Sequence, residues 1–328
     1  MKRIFIRLPA LAIVWAASVL LSCSEQKENA DPAYTGKVEM ALGTNESLPV
    51  GAKVAVYAFK HDGSGRYCYS RAVAEDWDGT GISTLYLPEG EYKFHYSCCD
   101  KSGLALDPTP DVSTEIEMLG YRTLDSENSG ECLPCSELFL PKADSKPDSV
   151  YKIGSVPTKV KMELERVVSR VDVVLKQGRR NGTEYVPVPF PSGSTALDQI
   201  GSIRLKVSGA GQRVCGTGTS GSAIHSGTFD AEDCVSVSPE GFVLLKGPMI
   251  LPPPGDGEVT VDVWALPETR AAQEIPAGTF RSRLPKNTRL ELTLWLSSSG
   301  PSTEVTVDVA VDLKPLVRFE EGETGIWD

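Results

Sequence analysis

The sequence predicts an all-β protein built as two β-sandwiches in tandem, and three observations carry that prediction. Apolar and polar residues alternate with period 2 in run after run, the mark of half-buried strands. Glycine at 30 and proline at 23 of 328 residues punctuate those runs, several times as Asp-Gly turns. Long stretches of 3.6-residue periodicity are few, so long helices are not expected. A hydrophobic content of 41% is ordinary for a folded chain, and 44 acidic against 33 basic residues disfavour a nucleic-acid partner, which needs a basic face.

The chain opens with Lys2, Arg3 and Arg7 ahead of an uncharged run from Leu8 to Leu21, too short for a spanning helix of about 20 residues. It reads as a signal peptide over residues 1–22. Its end, Leu20-Leu21-Ser22-Cys23, resembles the lipobox of bacterial lipoproteins, which implies cleavage before Cys23 and acyl chains on it. The alternative is an ordinary signal peptide whose cysteine joins a disulfide. Several acyl chains anchor stably where one does not. Residues 23–33 are polar and turn-rich and read as a tether. Removing the leader takes 3 of the 33 basic groups and leaves a mature charge near −14, so the lipid alone would hold this acidic body at a membrane.

Residues 34–145 are expected to form the N-terminal sandwich. Val54, Val56 and Ala58 share one face of a strand from Lys53 to Phe59, and Tyr92, Phe94 and Tyr96 alternate with Lys93, His95 and Ser97. The segments HDGSG at 61–65 and DWDGTG at 76–81 supply turns, as does Leu87-Pro88-Glu89-Gly90. The Pro- and Ser-bearing stretch 141–149 marks the boundary, and residues 150–328 are expected to form the C-terminal sandwich. Val160, Met162 and Leu164 alternate there first, followed after a break at 166–170 by Val171, Val173 and Leu175. Further strands are read at 201–208 and 242–250. Three long ones follow, through Val259 to Val263, Leu290 to Leu296, and Val305, Val307, Val309, Val311 and Leu313.

Seven cysteines follow Cys23. Cys215 and Cys234 are close enough in sequence to be a disulfide, while Cys132-Leu133-Pro134-Cys135 has redox or zinc spacing but lies in a loop, where a local disulfide or free thiols are expected. Three histidines, at 61, 95 and 225, have no ligand or nucleophile at motif spacing. Gly216-Thr217-Gly218-Thr219-Ser220-Gly221 matches a phosphate-loop pattern, yet no helical pattern follows it and a flexible loop is expected. Asp62, Asp76 and Asp78 lack calcium-loop spacing and read as solvated turn carboxylates. No catalytic residue, metal site or cofactor is expected, and so no enzyme.

Read in order, the lipobox, VAVYAFKHDGSGRY at 54–67, LPEGEYKFHYS at 87–97, LERVVSRVDVVLK at 164–176 and a C-terminal alternating strand running into GETGIWD resemble the fimbrillin-associated anchor family of Bacteroidales, lipoprotein partners of type V pili. The resemblance implies two tandem transthyretin-like β-sandwich domains in a surface-facing outer-membrane lipoprotein that joins fimbrial subunits by strand addition. In that mechanism a partner's extended segment completes a sheet and fills its pockets with alternate side chains. The strand Val305–Leu313 is then the candidate donor, or else simply the last core strand of the second sandwich. Arg166 and Arg170 stand out through the motif alone; from the residues themselves they are ordinary strand-edge charges. Polymerising relatives lose their N-terminal segment by cleavage, often after Arg. Between Cys23 and Lys53 this chain has Lys27 and Lys37 but no Arg, so it is expected to keep its lipid and act as an anchor or accessory subunit. The competing reading is a surface glycan-binding lipoprotein using Trp77, Tyr67 and Tyr69, with Trp264 and Trp295 packed on sheet faces.

Overall fold

The computed structural model describes residues 36–44, 52–76, 82–99, 103–126, 130–142, 149–182, 184–216, 218–267, 274–298 and 305–315. The leader, the tether with Cys23 and most of the 76–81 turn with Trp77 lie outside them. The fold is all-β: sheets and short 3-10 turns account for every regular element described.

The first sheet has eight strands: β1 (Gly36–Thr44), β2 (Lys53–His61), β3 (Tyr67–Asp76), β4 (Ile82–Leu87), β5 (Gly90–Cys99), β8 (Leu138–Pro141), β9 (Tyr151–Ile153) and β10 (Thr158–Arg166). Their order is β3-β2-β5-β8-β10-β1-β4, with β9 added on β5. Strand β8 is the corner, pairing β5 through Leu138 and Phe139 and β10 through Phe139 to Pro141. Val54, Val56, Phe94 and Tyr96 from one side of that corner share a core with Val38, Met40, Val160 and Met162 from the other, so the sheet folds over itself. Alternate residues bury one face in that core, and on β2 the other face is buried too, where Ala55, Tyr57 and Phe59 pack with Leu119.

The expected boundary at 145–150 is displaced. Strands β9 and β10 lie beyond it, yet both complete the first sheet, and β10 pairs in parallel with β1 over Val38↔Thr158 to Thr44↔Leu164. The chain leaves that sheet only at Val167-Val168. Local composition at 141–149 signals a connection between strands, and it cannot signal which sheet the next strand joins.

From there the C-terminal sandwich begins. One sheet runs β17 (Cys234–Val237), β18 (Val243–Leu245), β11 (Ser169–Asn181), β22 (Thr288–Ser298), β23 (Val305–Pro315), with β12 (Glu184–Pro187) and β19 (Met249–Ile250) also paired to β11. The facing sheet runs β16 (Ala223–Phe229), β13 (Ile200–Ala210), β20 (Glu258–Pro267), β21 (Ile275–Arg283). Val171, Val173, Leu290, Leu292 and Leu294 of the first meet Ile203, Leu205, Val261 and Val263 of the second in one core. The 242–250 strand is broken in two at Lys246–Pro248, where Gly247 approaches β11 so closely that a Cβ would sit 1.7 Å from the Val171 carbonyl oxygen.

A fourth sheet crosses the two halves. Strands β6 (Leu104–Asp107) and β7 (Gly120–Thr123) come from the first, β14 (Arg213–Cys215) and β15 (Gly218–Ser220) from the second, and β7 pairs β14. Backbone N–H groups of Thr123, Cys132 and Cys135 donate across this seam to the carbonyls of Gln212, Ile224 and Met249 at 2.9, 2.6 and 2.7 Å. Leu104, Tyr121, Leu138, Val168, Val214 and Leu251 fill it. Within the phosphate-loop look-alike, Gly218–Ser220 form strand β15 paired to β14, in place of the expected flexible loop.

Candidate functional site

The terminal hairpin gathers the candidate donor residues. Leu290, Leu292, Leu294 and Leu296 alternate along β22 and all are fully buried. Opposite them, in antiparallel register, stand Leu313, Val311, Val309 and Val307, with Val305 opposite Ser298. Strand β23 is last in its sheet, so among the described residues its backbone is paired on one side only. An edge with alternating apolar residues is the arrangement strand addition uses. Val311 packs against the sandwich core while Asp312 is exposed, as period 2 requires.

The opposite face of this sheet carries a charge ladder. Arg170 Nε and Nη2 donate to Asp172 Oδ1 and Oδ2 at 2.7 and 2.8 Å, with both side chains at 2% exposure or less. The Gly247 N–H donates to the same carboxylate at 3.3 Å. Arg289 lies 3.7 Å from Asp172 and 3.3 Å from Glu291, and Lys314 Nζ on β23 donates to Glu291 at 2.6 Å. Strand β23 is thus fastened to β22 by an ion pair as well as by its backbone. Because β11 and β22 are parallel, Arg170 faces Arg289 and Asp172 faces Glu291 in register, and the acids neutralise the two guanidinium groups.

Arg166 and Arg170 are not the ordinary edge charges that residue type suggests. Both are buried, Arg170 in this ladder and Arg166 at the seam, where Nε donates to Glu137 at 2.6 Å and Nη1 to Asn287 at 3.1 Å. A signal was present in the sequence: Arg170-Val171-Asp172 and Arg289-Leu290-Glu291 each place a base and an acid two apart, on one face of a strand.

The expected disulfide between Cys215 and Cys234 is not made. The two stand on different sheets, and their thiols turn to the carbonyls of Gly218 and Ser236 at 3.8 and 3.7 Å. Nineteen residues of separation hid that the intervening chain crosses from the seam sheet to the sandwich. Cys132 accepts from Thr123 Oγ1 at 3.4 Å, and Cys135 is buried beside it, its thiol pushed up to about 12 by loss of water. Among the described residues no group of three or more His, Cys, Asp or Glu is placed to hold a metal ion.

His95 and His225 are buried within strands rather than on a polar face or in a loop, and burial lowers the pKa of both, that of His95 to about 4. His61 ends β2 against the ring of Tyr67. Asp62 is held well below the usual carboxylate range by Ser64 and Arg66, which close the turn around it. Tyr69 packs edge-on against Phe59 and Lys93 lies over Tyr67, so these two tyrosines serve a packed face. A cleft of about 380 Å³ at the seam is lined by Val167, Thr219, Asp256, Arg283 and Lys286.

No family model matches the sequence, and no curated protein matches it. Solved structures do. The fimbrial anchor protein Mfa2 from Porphyromonas gingivalis superposes with a TM-score of 0.50 at 15% identity, over 85% of this chain and 98% of that one. The chain has the fold of a fimbrial anchor protein. An adhesin candidate from Bacteroides thetaiotaomicron gives 0.51 at 12% identity over 88% and 100%, and a polysaccharide-binding candidate from the same organism gives 0.50 at 12% over 87% and 99%. At these identities the likeness is one of fold.

Proposed function

We propose that this chain is an outer-membrane lipoprotein, lipidated at Cys23, that acts as a fimbrial anchor or accessory subunit and joins fimbrial subunits by β-strand addition. The observation that carries the reading is β23: an eleven-residue strand with alternating apolar positions, at a sheet edge, in a fold shared with a fimbrial anchor protein. Val305, Val307, Val309, Val311 and Leu313 are the residues that would enter a partner's groove once β23 parts from β22 and draws Val311 out of its own core.

The placing of Lys37 supports an anchor over a shaft subunit. Strand β1 is interior, bonded to β10 on one side and to β4 on the other. Lys37 stands within it opposite Tyr86, its ammonium 2.8 Å from Glu39. A protease reaching Lys37 must first pull an interior strand out of a sheet, which supports retention at that position, while cleavage at Lys27 in the tether would free the body from its lipid and contradict the anchor reading.

A saccharide-binding surface lipoprotein is the second reading, favoured by one arrangement. Tyr185 and Trp295 stack in parallel on the outer face of the sandwich, ring centres 5.2 Å apart, both partly exposed, with Lys176 beside Trp295. Parallel aromatic faces of this kind suit sugar rings.

Photocrosslinking in intact cells separates the two. A crosslinker at Asp312 is expected to capture a fimbrial subunit, while one at Tyr185 captures none. Capture at Tyr185 of polysaccharide, with no fimbrial subunit from Asp312, would replace the anchor by the saccharide reading.

A further inference from the structure

The named strands of the described residues form two parallel ladders, β1 with β10 and β11 with β22, and every other pair runs antiparallel. These two are consecutive along the chain. Strand β10 ends at Arg166 and β11 begins at Ser169, with only the buried Val167 and Val168 between them.

Their order fixes how a pull along the chain is resisted. A load arriving upstream of Gly36 draws β1 by its N-terminal end and leaves β10 by its C-terminal end. In a parallel pair those ends are opposite, so the seven register pairs from Val38↔Thr158 to Thr44↔Leu164 are sheared together. The load then enters β11 at Ser169 and leaves β22 at Ser298, again at opposite ends, across eight pairs from Arg170↔Arg289 to Gln177↔Leu296. An antiparallel pair on the same path would open one bond at a time from one end.

Each ladder is shielded on its core face from water, which would otherwise replace each bond as it breaks, although Lys159 and Lys161 leave the outer face of the first open to solvent. Val38, Met40, Val160 and Met162 bury the first, Val171, Val173, Leu290 and Leu292 the second. Side chains pin the joint between them: Lys286 Nζ to Glu165 at 2.6 Å and Arg166 to Glu137 and Asn287. Beyond it, Arg289 lies between Asp172 and Glu291 and so ties the second ladder across its own strands.

We infer that the chain is a tension-bearing element in which two parallel strand ladders act in series as shear clamps between an N-terminal tether and a partner holding β23. The inference rests on the anchor reading for where load enters and leaves. The partner it implies is one that pulls: a fibre gripping the 305–315 segment, with the force leaving β22 at its C-terminal end.

Single-molecule pulling on the full chain tests it. One attachment is placed at Ala30 and the second either at Ser302, which shears both ladders, or at the exposed Val156 in the turn before β10, which peels β1 from β10 at a shared end. Forced unfolding reports the unfolding barrier along the chosen path. The first rupture from Ala30 to Ser302 is expected at several-fold higher force than from Ala30 to Val156. Equal forces, or a weaker Ser302 path, overturn the clamp. The anchor reading stands or falls separately on partner capture: a strong clamp without fimbrial partners sinks that reading alone, and a weak one with them sinks only the clamp.

Discussion

Arg170 grips Asp172 two residues along its own strand with two parallel N–H···O bonds, at 2.7 and 2.8 Å, in a position almost wholly removed from water. The second guanidinium, Arg289, sits 3.7 Å from the same carboxylate. Removing the acid alone therefore strands buried positive charge. Asp172→Ala is expected to cost about 3–5 kcal/mol in urea unfolding, the usual result of breaking a buried pair. Replacing Arg170 and Asp172 together by Met and Leu should recover most of that loss, because the apolar pair leaves fewer uncompensated charges.

His95 sets a pH dependence. Burial lowers its pKa from an ordinary 6.5 to about 4, so between those values the unfolded chain binds a proton that the folded chain refuses. Its contribution is complete above pH 6.5 and is lost as pH falls toward 4, about 3 kcal/mol in all. His225, whose pKa burial also lowers, acts in the same direction. Urea midpoints followed from pH 7 to pH 4 should show a shallower decline in His95→Gln than in the wild type.

The seam depends on Gly103. Its φ of +73° is one that side chains rarely adopt, and a Cβ there would lie 1.8 Å from the Pro134 carbonyl oxygen. Gly103→Ala should destabilise by at least about 1–3 kcal/mol and should speed backbone hydrogen exchange first at Cys132 and Cys135, whose N–H groups cross to the other half.

Thiol chemistry should follow burial. Cys135, with its pKa pushed up to about 12, is expected to resist iodoacetamide at pH 8 in the native protein and to react after denaturation. Peptide mapping without reduction should recover Cys215 and Cys234 unlinked to one another.

What the sequence made legible was local. Alternation located β10, β20, β22 and β23 to within a few residues, because a core-facing side leaves a period-2 trace, while β2, buried on both faces, showed as a continuous apolar run. Partnership between distant strands leaves no such trace. The Val160–Leu164 run reads the same whether β10 pairs with β1 or opens a second sandwich, and so the boundary was misplaced. Arg170 and His95 look solvated by residue type, and only the packing of a second layer over their faces buries them. At the candidate site the apolar alternation of 305–313 was plain. Its position at an edge, and its ion pair from Lys314 to Glu291, depend on a neighbour at the far end of a hairpin.

As proposed, this chain is a lipid-held subunit fastened to a fimbrium. Affinity isolation of the native protein from outer membranes in mild detergent, with mass spectrometry of both partners and mature N-terminus, tests it most directly. A lipidated Cys23 and co-purifying fimbrial subunits are expected. A lipidated Cys23 with no fimbrial partner, or an N-terminus trimmed past β1, would contradict it.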